Sequence, residues 1–152
     1  MVSIRKVTLP LACLDALSAE SVAQGYEFLN RLQAEWDSGV NRFDRPGEGL
    51  FGAFDGPTVI AIGGLNRDPF SPNPAPNPAP DAAVGRIRRV YVLSASRGSG
   101  VGTQLVQTLL AEARLHFRQV RLRAVSPAAA RFYERLGFRP IADPDATHLF
   151  SW

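Results

Sequence analysis

"RVYVLSASRGSGVGTQLVQTLL", residues 89–110, passes from a β-branched run through three closely spaced glycines into an apolar helical pattern. Arg89-Val90-Tyr91-Val92-Leu93 is rich in strand formers. Gly98, Gly100 and Gly102 stand at every second position, where a bulky side chain would keep an anion from approaching the backbone. Beyond them Leu105, Val106, Leu109, Leu110 and Ala113 recur at helical spacing and give one apolar face. The N-terminus of such a helix presents unpaired N–H groups and the positive end of its dipole, a ready site for a pyrophosphate. Arg97 at the mouth adds a full positive charge. The segment reads as strand, phosphate-holding turn and helix.

Spacing excludes two glycine motifs of this kind. A dinucleotide fingerprint starting at Gly98 needs glycine where Thr103 stands, and an acidic residue about 20 positions on, where the chain reads "VRLRAV". A nucleotide-triphosphate loop ending at Gly102 needs glycine at Arg97 and lysine at Thr103.

What fits is R-x-x-G-x-G, Arg97 to Gly102, followed after one helix and one strand by "SPAAARFYERLGF", Ser126 to Phe138. In this order the two motifs resemble those of the GCN5-related N-acetyltransferases. That family cradles the acetyl-CoA pyrophosphate in Q/R-x-x-G-x-G/A and carries N-x-x-A-x-x-[LF]-Y-x-x-x-G-F downstream. Ala129, Phe132, Tyr133, Gly137 and Phe138 match the second motif, and Ser126 replaces its asparagine. The resemblance covers roughly residues 84–141, and the first 80 residues carry no comparable signature.

The resemblance implies an acyl-CoA N-acyltransferase fold, a strongly twisted mixed sheet flanked by helices in the order β-α-β-β-β-α-β-α-β. The residues alone support one α/β or α+β domain over 1–152. For acetyl-CoA, the acyl-donor substrate, the implied contacts are Arg97, Gly98, Ser99, Gly100, Val101, Gly102 and Thr103 at the pyrophosphate. Backbone groups of Val90 and Val92, flanking Tyr91, are implied at the pantetheine arm and thioester carbonyl. Ser126 and Ala129 open the second motif; Ser126 serves as a cofactor contact, as a helix N-cap, or as both. Tyr133 matches the tyrosine that protonates the departing CoA thiolate. A phenol with a pKa near 10 keeps its proton at neutral pH and can deliver it; the alternative is a core tyrosine on an amphipathic helix.

The base is the gap. Many members carry a glutamate four residues before the first carbonyl-holding position, and here that position is Arg86, which cannot accept a proton. A water chain, or a carboxylate from Asp68, Glu35 or Asp37, is left to take the proton. Arg86, Arg88 and Val90 alternate onto one strand face. If that face lines the acceptor groove, as the resemblance implies, Arg86 would grip the carboxylate of an amino acid or other acidic amine as a bidentate pair. The alternative is an arginine at the open end of a strand.

Composition is consistent with this reading. The net charge of +3 divides unevenly: residues 82–139 hold eleven arginines against Glu112 and Glu134. The arginines lack interleaved exposed aromatics, which argues against nucleic acid, whereas the CoA phosphates belong in this half. No run approaches 18 apolar residues, so no membrane span is expected. "MVSIRKVTLP" lacks a signal-peptide core, so the expected location is cytoplasmic. The single cysteine, Cys13, reads as a small buried hydrophobe and cannot build a thiolate metal site, so no metal is expected.

Along the chain, "SIRKVTL" reads as a strand. "SAESVAQGYEFLNRLQAEWDSG" reads as helical, capped by Ser18 or Ser21 and stopped by Gly39, with Val22, Tyr26, Leu29, Leu32 and Trp36 as a core stripe. Asp55-Gly56-Pro57 turns a hairpin. "DPFSPNPAPNPAP" reads as an exposed proline-rich loop over about 69–81. A helix to about Phe117, a strand "VRLRAV", a helix "PAAARFYERL" with Pro127 in its first turn and Gly137 as C-cap, and a closing strand "THLFSW" complete it.

The expected activity is transfer of an acetyl group to a primary amine of a small molecule or protein, by one domain that binds neither membrane nor nucleic acid. A homodimer stays open. The alternative is a non-catalytic acyl-CoA sensor or a partner-docking module on the same fold.

Overall fold

The computed structural model describes residues 2–70 and 83–152. Most of the proline-rich stretch lies outside the described residues. The strands are β1 (Val2–Val7), β2 (Gly49–Asp55), β3 (Thr58–Arg67), β4 (Val84–Val92), β5 (Gln119–Leu122), β6 (Arg139–Pro140) and β7 (His148–Ser151). They form one sheet in the order β1-β2-β3-β4-β5-β7-β6. Only β4 and β5 run parallel; the other neighbours are antiparallel. The helices are α1 (Leu14–Ala23), α2 (Phe28–Ser38), α3 (Val101–Arg114) and α4 (Pro127–Arg135).

The sheet separates two apolar layers. On one face Leu105, Val106 and Leu109 of α3 pack with Ala61, Leu65, Ile87 and Val120. On the other, Leu17 of α1 and Leu29 and Leu32 of α2 pack with Leu50, Ile62 and Tyr91. Gly64 lets the second layer close, because a Cβ there would collide with the Phe43 ring.

The expected long helix is two helices. Gly25, at φ 89°, breaks it, and the Tyr26 N–H bonds back to the Ser21 carbonyl at 3.0 Å. Ser18 and Ser21 therefore lie inside α1 rather than at its N-cap, which is Cys13. Cys13 is exposed, not buried, because it sits at that N-cap in a left-handed turn (φ 68°). Val22 is also exposed, since the break shifts the phase of the apolar stripe. Gly39 does end α2, at φ 81°. α3 stops at Arg114 rather than near Phe117. The C-cap of α4 is Leu136, with Gly137 just beyond it at φ 102°.

Two features of β4 shape the site. First, Ile62 faces Tyr91 and Gly64 faces Arg88, so Gly63 stands opposite both Arg89 and Val90. This is a β-bulge, with Arg89 at φ 58°. The extra residue turns Val90 into the α3 layer beside Ile87. Arg86, Arg88 and Val90 therefore do not share a face, contrary to simple alternation. Second, β4 pairs with β5 only from Val84 to Arg86. From Ile87 to Val92 its β5-side edge has no strand partner among the described residues.

Candidate active site

The glycine turn ends β4 and opens α3. Gly98 and Gly100 have φ of 80° and 89°, a region that favours glycine, and a Cβ on either would meet nothing within 4 Å. The turn is open to solvent. Gly100 is the N-cap of α3, and no side chain caps the helix. Its first N–H groups, with the helix dipole behind them, are left for an anion. The Val101 side chain is buried in the core, so this residue can offer only its backbone. Thr103 is half-buried, and the Ser99 hydroxyl donates to the Ser96 carbonyl. Gly102 is set by packing: a Cβ there would stand 3.4 Å from Phe132 Cζ and 3.5 Å from Val92 Cγ2. That contact brings α4, α3 and β4 together.

Arg97 turns toward β4 and α1. Its Nε donates to the Val92 carbonyl at 3.0 Å and its Nη2 to Gln24 Oε1 at 3.1 Å, with the Tyr91 ring 5.3 Å away. Val92 stands opposite Ala61, and the Leu93 N–H donates to the Ile60 carbonyl at 2.9 Å. By the antiparallel alternation, the N–H and C=O of Val92 point away from β3, toward the edge that β5 leaves uncovered. The backbone of Tyr91 faces β3 instead, and its side chain enters the α1/α2 layer.

Tyr133 projects from α4 into the core. Its ring meets Phe132 and Phe138 edge-on, at centroid distances of 5.1 and 5.5 Å. Burial pushes its pKa well above the usual phenol value. Its hydroxyl has no hydrogen-bond partner among the described residues. Ser126 caps α4: its Oγ accepts from the Ala129 N–H at 3.1 Å, with Pro127 at the first turn.

The candidate bases are all engaged. Asp68 is fully buried at its side chain and lies between two guanidiniums, 3.5 Å from Arg86 Nη1 and 3.4 Å from Arg121 Nε. Arg86, expected to face an acceptor, also donates to the Asp145 carbonyl at 2.6 Å and stacks over Phe70. Arg121 holds Asp143 at 2.7 Å. Glu35 is paired to Arg89 at 2.6 Å, and exposed Asp37 accepts from Gln33. These contacts join Arg86 to Asp68 but bring neither Glu35 nor Asp37 to them.

Glu20 and Gln24 of α1 are site neighbours that sequence reasoning missed. The Tyr91 hydroxyl lies 2.7 Å from Glu20 Oε2 and 3.0 Å from Gln24 Oε1. Burial, followed by the Glu20 hydrogen bond, pushes Tyr91 up to about 12. Glu20 is held below its ordinary range by the Ser94 hydroxyl, then by Tyr91 and the Ser94 N–H. Glu20 lies 71 and 74 residues from Tyr91 and Ser94, and no local pattern announces these contacts.

A cleft of about 690 Å³, lined among others by Lys6, Trp36, Phe43 and His116, shares none of these residues. Among the described residues, no group of three or more His, Cys, Asp or Glu could hold a metal, and no helix is long and apolar enough to cross a membrane.

Comparison with known proteins agrees with this geometry. Residues 13–138 match the family model described as the acetyltransferase (GNAT) family. Comparison with curated proteins gives no match. Among solved structures, a protein from Exiguobacterium sp. 255-15, classed as an acetyltransferase, is 28% identical, with a TM-score of 0.82 over 99% of this chain and 93% of its own. An N-acetyltransferase from Staphylococcus aureus Mu50 is 16% identical, with a TM-score of 0.70 over 99% and 98%. A protein from Clostridium acetobutylicum, classed as an acetyltransferase and solved with acetyl-CoA, is 19% identical, with a TM-score of 0.66 over 94% and 93%. With its family match spanning most of the sequence and its mixed sheet shared with these proteins, the chain belongs to the GNAT acetyltransferase family.

Proposed function

We propose that the protein transfers an acetyl group from acetyl-CoA to a primary amine. One observation carries the reading: an open, positive-φ glycine turn at an uncapped helix N-terminus, beside a strand edge left unpaired. The residues present fit CoA, since the turn offers space and N–H donors where its phosphates would rest. The Clostridium acetobutylicum neighbour solved with acetyl-CoA supports the choice of donor.

Each residue then has a role. The N–H groups from Gly98 to Thr103 hold the pyrophosphate, and Arg97 braces the turn against Val92 and α1. The backbone of Val90 and Val92 lines the thioester arm and polarises its carbonyl. The acceptor nitrogen bonds to the carbonyl carbon as the carbon–sulfur bond breaks. Tyr133, kept protonated by burial, gives its proton to the sulfur. The amine's own proton passes to water, because Asp68 and Glu35 are bound by arginines.

Those occupied carboxylates also favour a second reading, an acyl-CoA-binding module without turnover. Thiol release from acetyl-CoA across a panel of amines, with mass spectrometry of the acetylated product, separates the two. Amine-dependent release is expected; CoA binding without release with any amine supports the module instead.

A further inference from the structure

The inference concerns the acceptor and rests on the acetyltransferase reading above. Three arginines lie on β4, and two are committed. Arg86 meets Asp68 and the Asp145 carbonyl, and Arg89 meets Glu35. Arg88 is half-buried, yet among the described residues its side chain makes no hydrogen bond and has no carboxylate within 4 Å. The two acids whose charges reach it, Glu35 and Asp68, are engaged by Arg89 and by Arg86 with Arg121. The buried nitrogens without a hydrogen-bond partner lie on Arg86, Arg89 and Arg121, not on Arg88. Of the β4 guanidiniums, the Arg88 head is the one left open to meet a ligand.

Its position gives the vacancy a use. Arg88 faces Gly64 across the ladder, and Gly64 looks onto Phe43, so Arg88 belongs to the α1/α2 face, opposite the α3 layer. It lies beyond the last β4–β5 pair, on the unpaired stretch of β4. Val90 is two residues along, across the bulge at Arg89. An amine placed at the thioester beside Val90 and Val92 would carry a substituent on a neighbouring carbon back toward Arg88.

We propose that the acceptor bears a carboxylate close to its amine, as an amino acid does, and that Arg88 receives that carboxylate. The fork of a guanidinium matches a carboxylate in two parallel hydrogen bonds.

Wild-type enzyme with acetyl-CoA tests this by thiol release on matched acceptors: glycine against methylamine, alanine against ethylamine, phenylalanine against phenethylamine. O-phosphoethanolamine against ethanolamine forms a phosphate arm. A charge-assisted contact predicts kcat/KM, expressed per neutral amine, about 10- to 100-fold higher for the carboxylated member of each pair. Arg88→Gln should collapse that preference toward unity through KM, and Arg88→Lys should restore part of it, with melting temperature recorded for each. Equal rates within the wild-type pairs overturn the carboxylate assignment while leaving the acetyltransferase reading standing. So does a larger gain in the phosphate arm. Preference retained in folded Arg88→Gln removes Arg88 from the role. No thiol release with any amine overturns both readings together.

Discussion

Tyr133 carries a hydroxyl that the fold does not use. The ring is packed between Phe132 and Phe138, but its oxygen meets no donor or acceptor among the described residues. A purely structural position would be served equally well by phenylalanine. Tyr133→Phe should therefore leave the melting temperature unchanged, since no hydrogen bond is lost. It should lower kcat by about 100-fold, the lower end for general-acid catalysis, with acetyl-CoA affinity preserved. A melting scan and a kcat measurement on the same variant decide the point: a stability loss of about 1 kcal/mol with wild-type turnover would return the residue to the core. Asp68 is the opposite case, a side chain the fold depends on. With its side chain fully buried between Arg86 and Arg121, its removal takes a buried carboxylate from both guanidiniums and leaves Arg86 with no acidic partner. Asp68→Ala should cost about 3–5 kcal/mol in urea unfolding, and a loss under 1 kcal/mol would contradict the ion-pair account.

Among the elements, what the sequence announced was local and what it concealed depended on register. Asp55-Gly56-Pro57 turns its hairpin and Ser126 caps α4, because each signal lies within three residues of its effect. The break between α1 and α2 was hidden because Val22, Tyr26, Leu29, Leu32 and Trp36 keep helical spacing across it, while only Gly25 opposes them. The bulge at Arg89 was invisible for a different reason. It exists only as a mismatch between β3 and β4, and without it Val90 would turn from the α3 layer to the face of Arg86 and Arg88. The Glu20–Tyr91–Ser94 contacts were out of reach in the same way, since α1 meets β4 only in the folded chain. The glycine loop was readable because its chemistry needs closely spaced small residues in one strand–helix turn. The proposed acceptor side was not, because Arg88 stands out only once Arg86 and Arg89 are seen to be engaged by Asp68 and Glu35.

Over the whole molecule, pH dependence follows from where protons are held. Burial raises Tyr133, so in the proposed role of general acid it would stay protonated through the working range and impose no falling limb below pH 10. With Asp68 and Glu35 held by arginines, the proposed mechanism has the amine arrive neutral or lose its proton to water. kcat/KM should thus rise with pH up to the acceptor's own pKa, about 8 for a peptide α-amine and about 10 for a lysine-type amine. Profiles recorded with two such acceptors should be displaced from each other accordingly; superimposed profiles with one shared pKa would point to an enzyme base after all. The central claim, that the turn between β4 and α3 holds the acetyl donor, is tested most directly by calorimetric titration of acetyl-CoA into wild-type and Gly100→Val proteins, each checked for folding. A valine side chain would enter the open space over the uncapped N–H groups. The account predicts saturable binding to the wild type and its loss in the folded variant; equal affinity in both would contradict it.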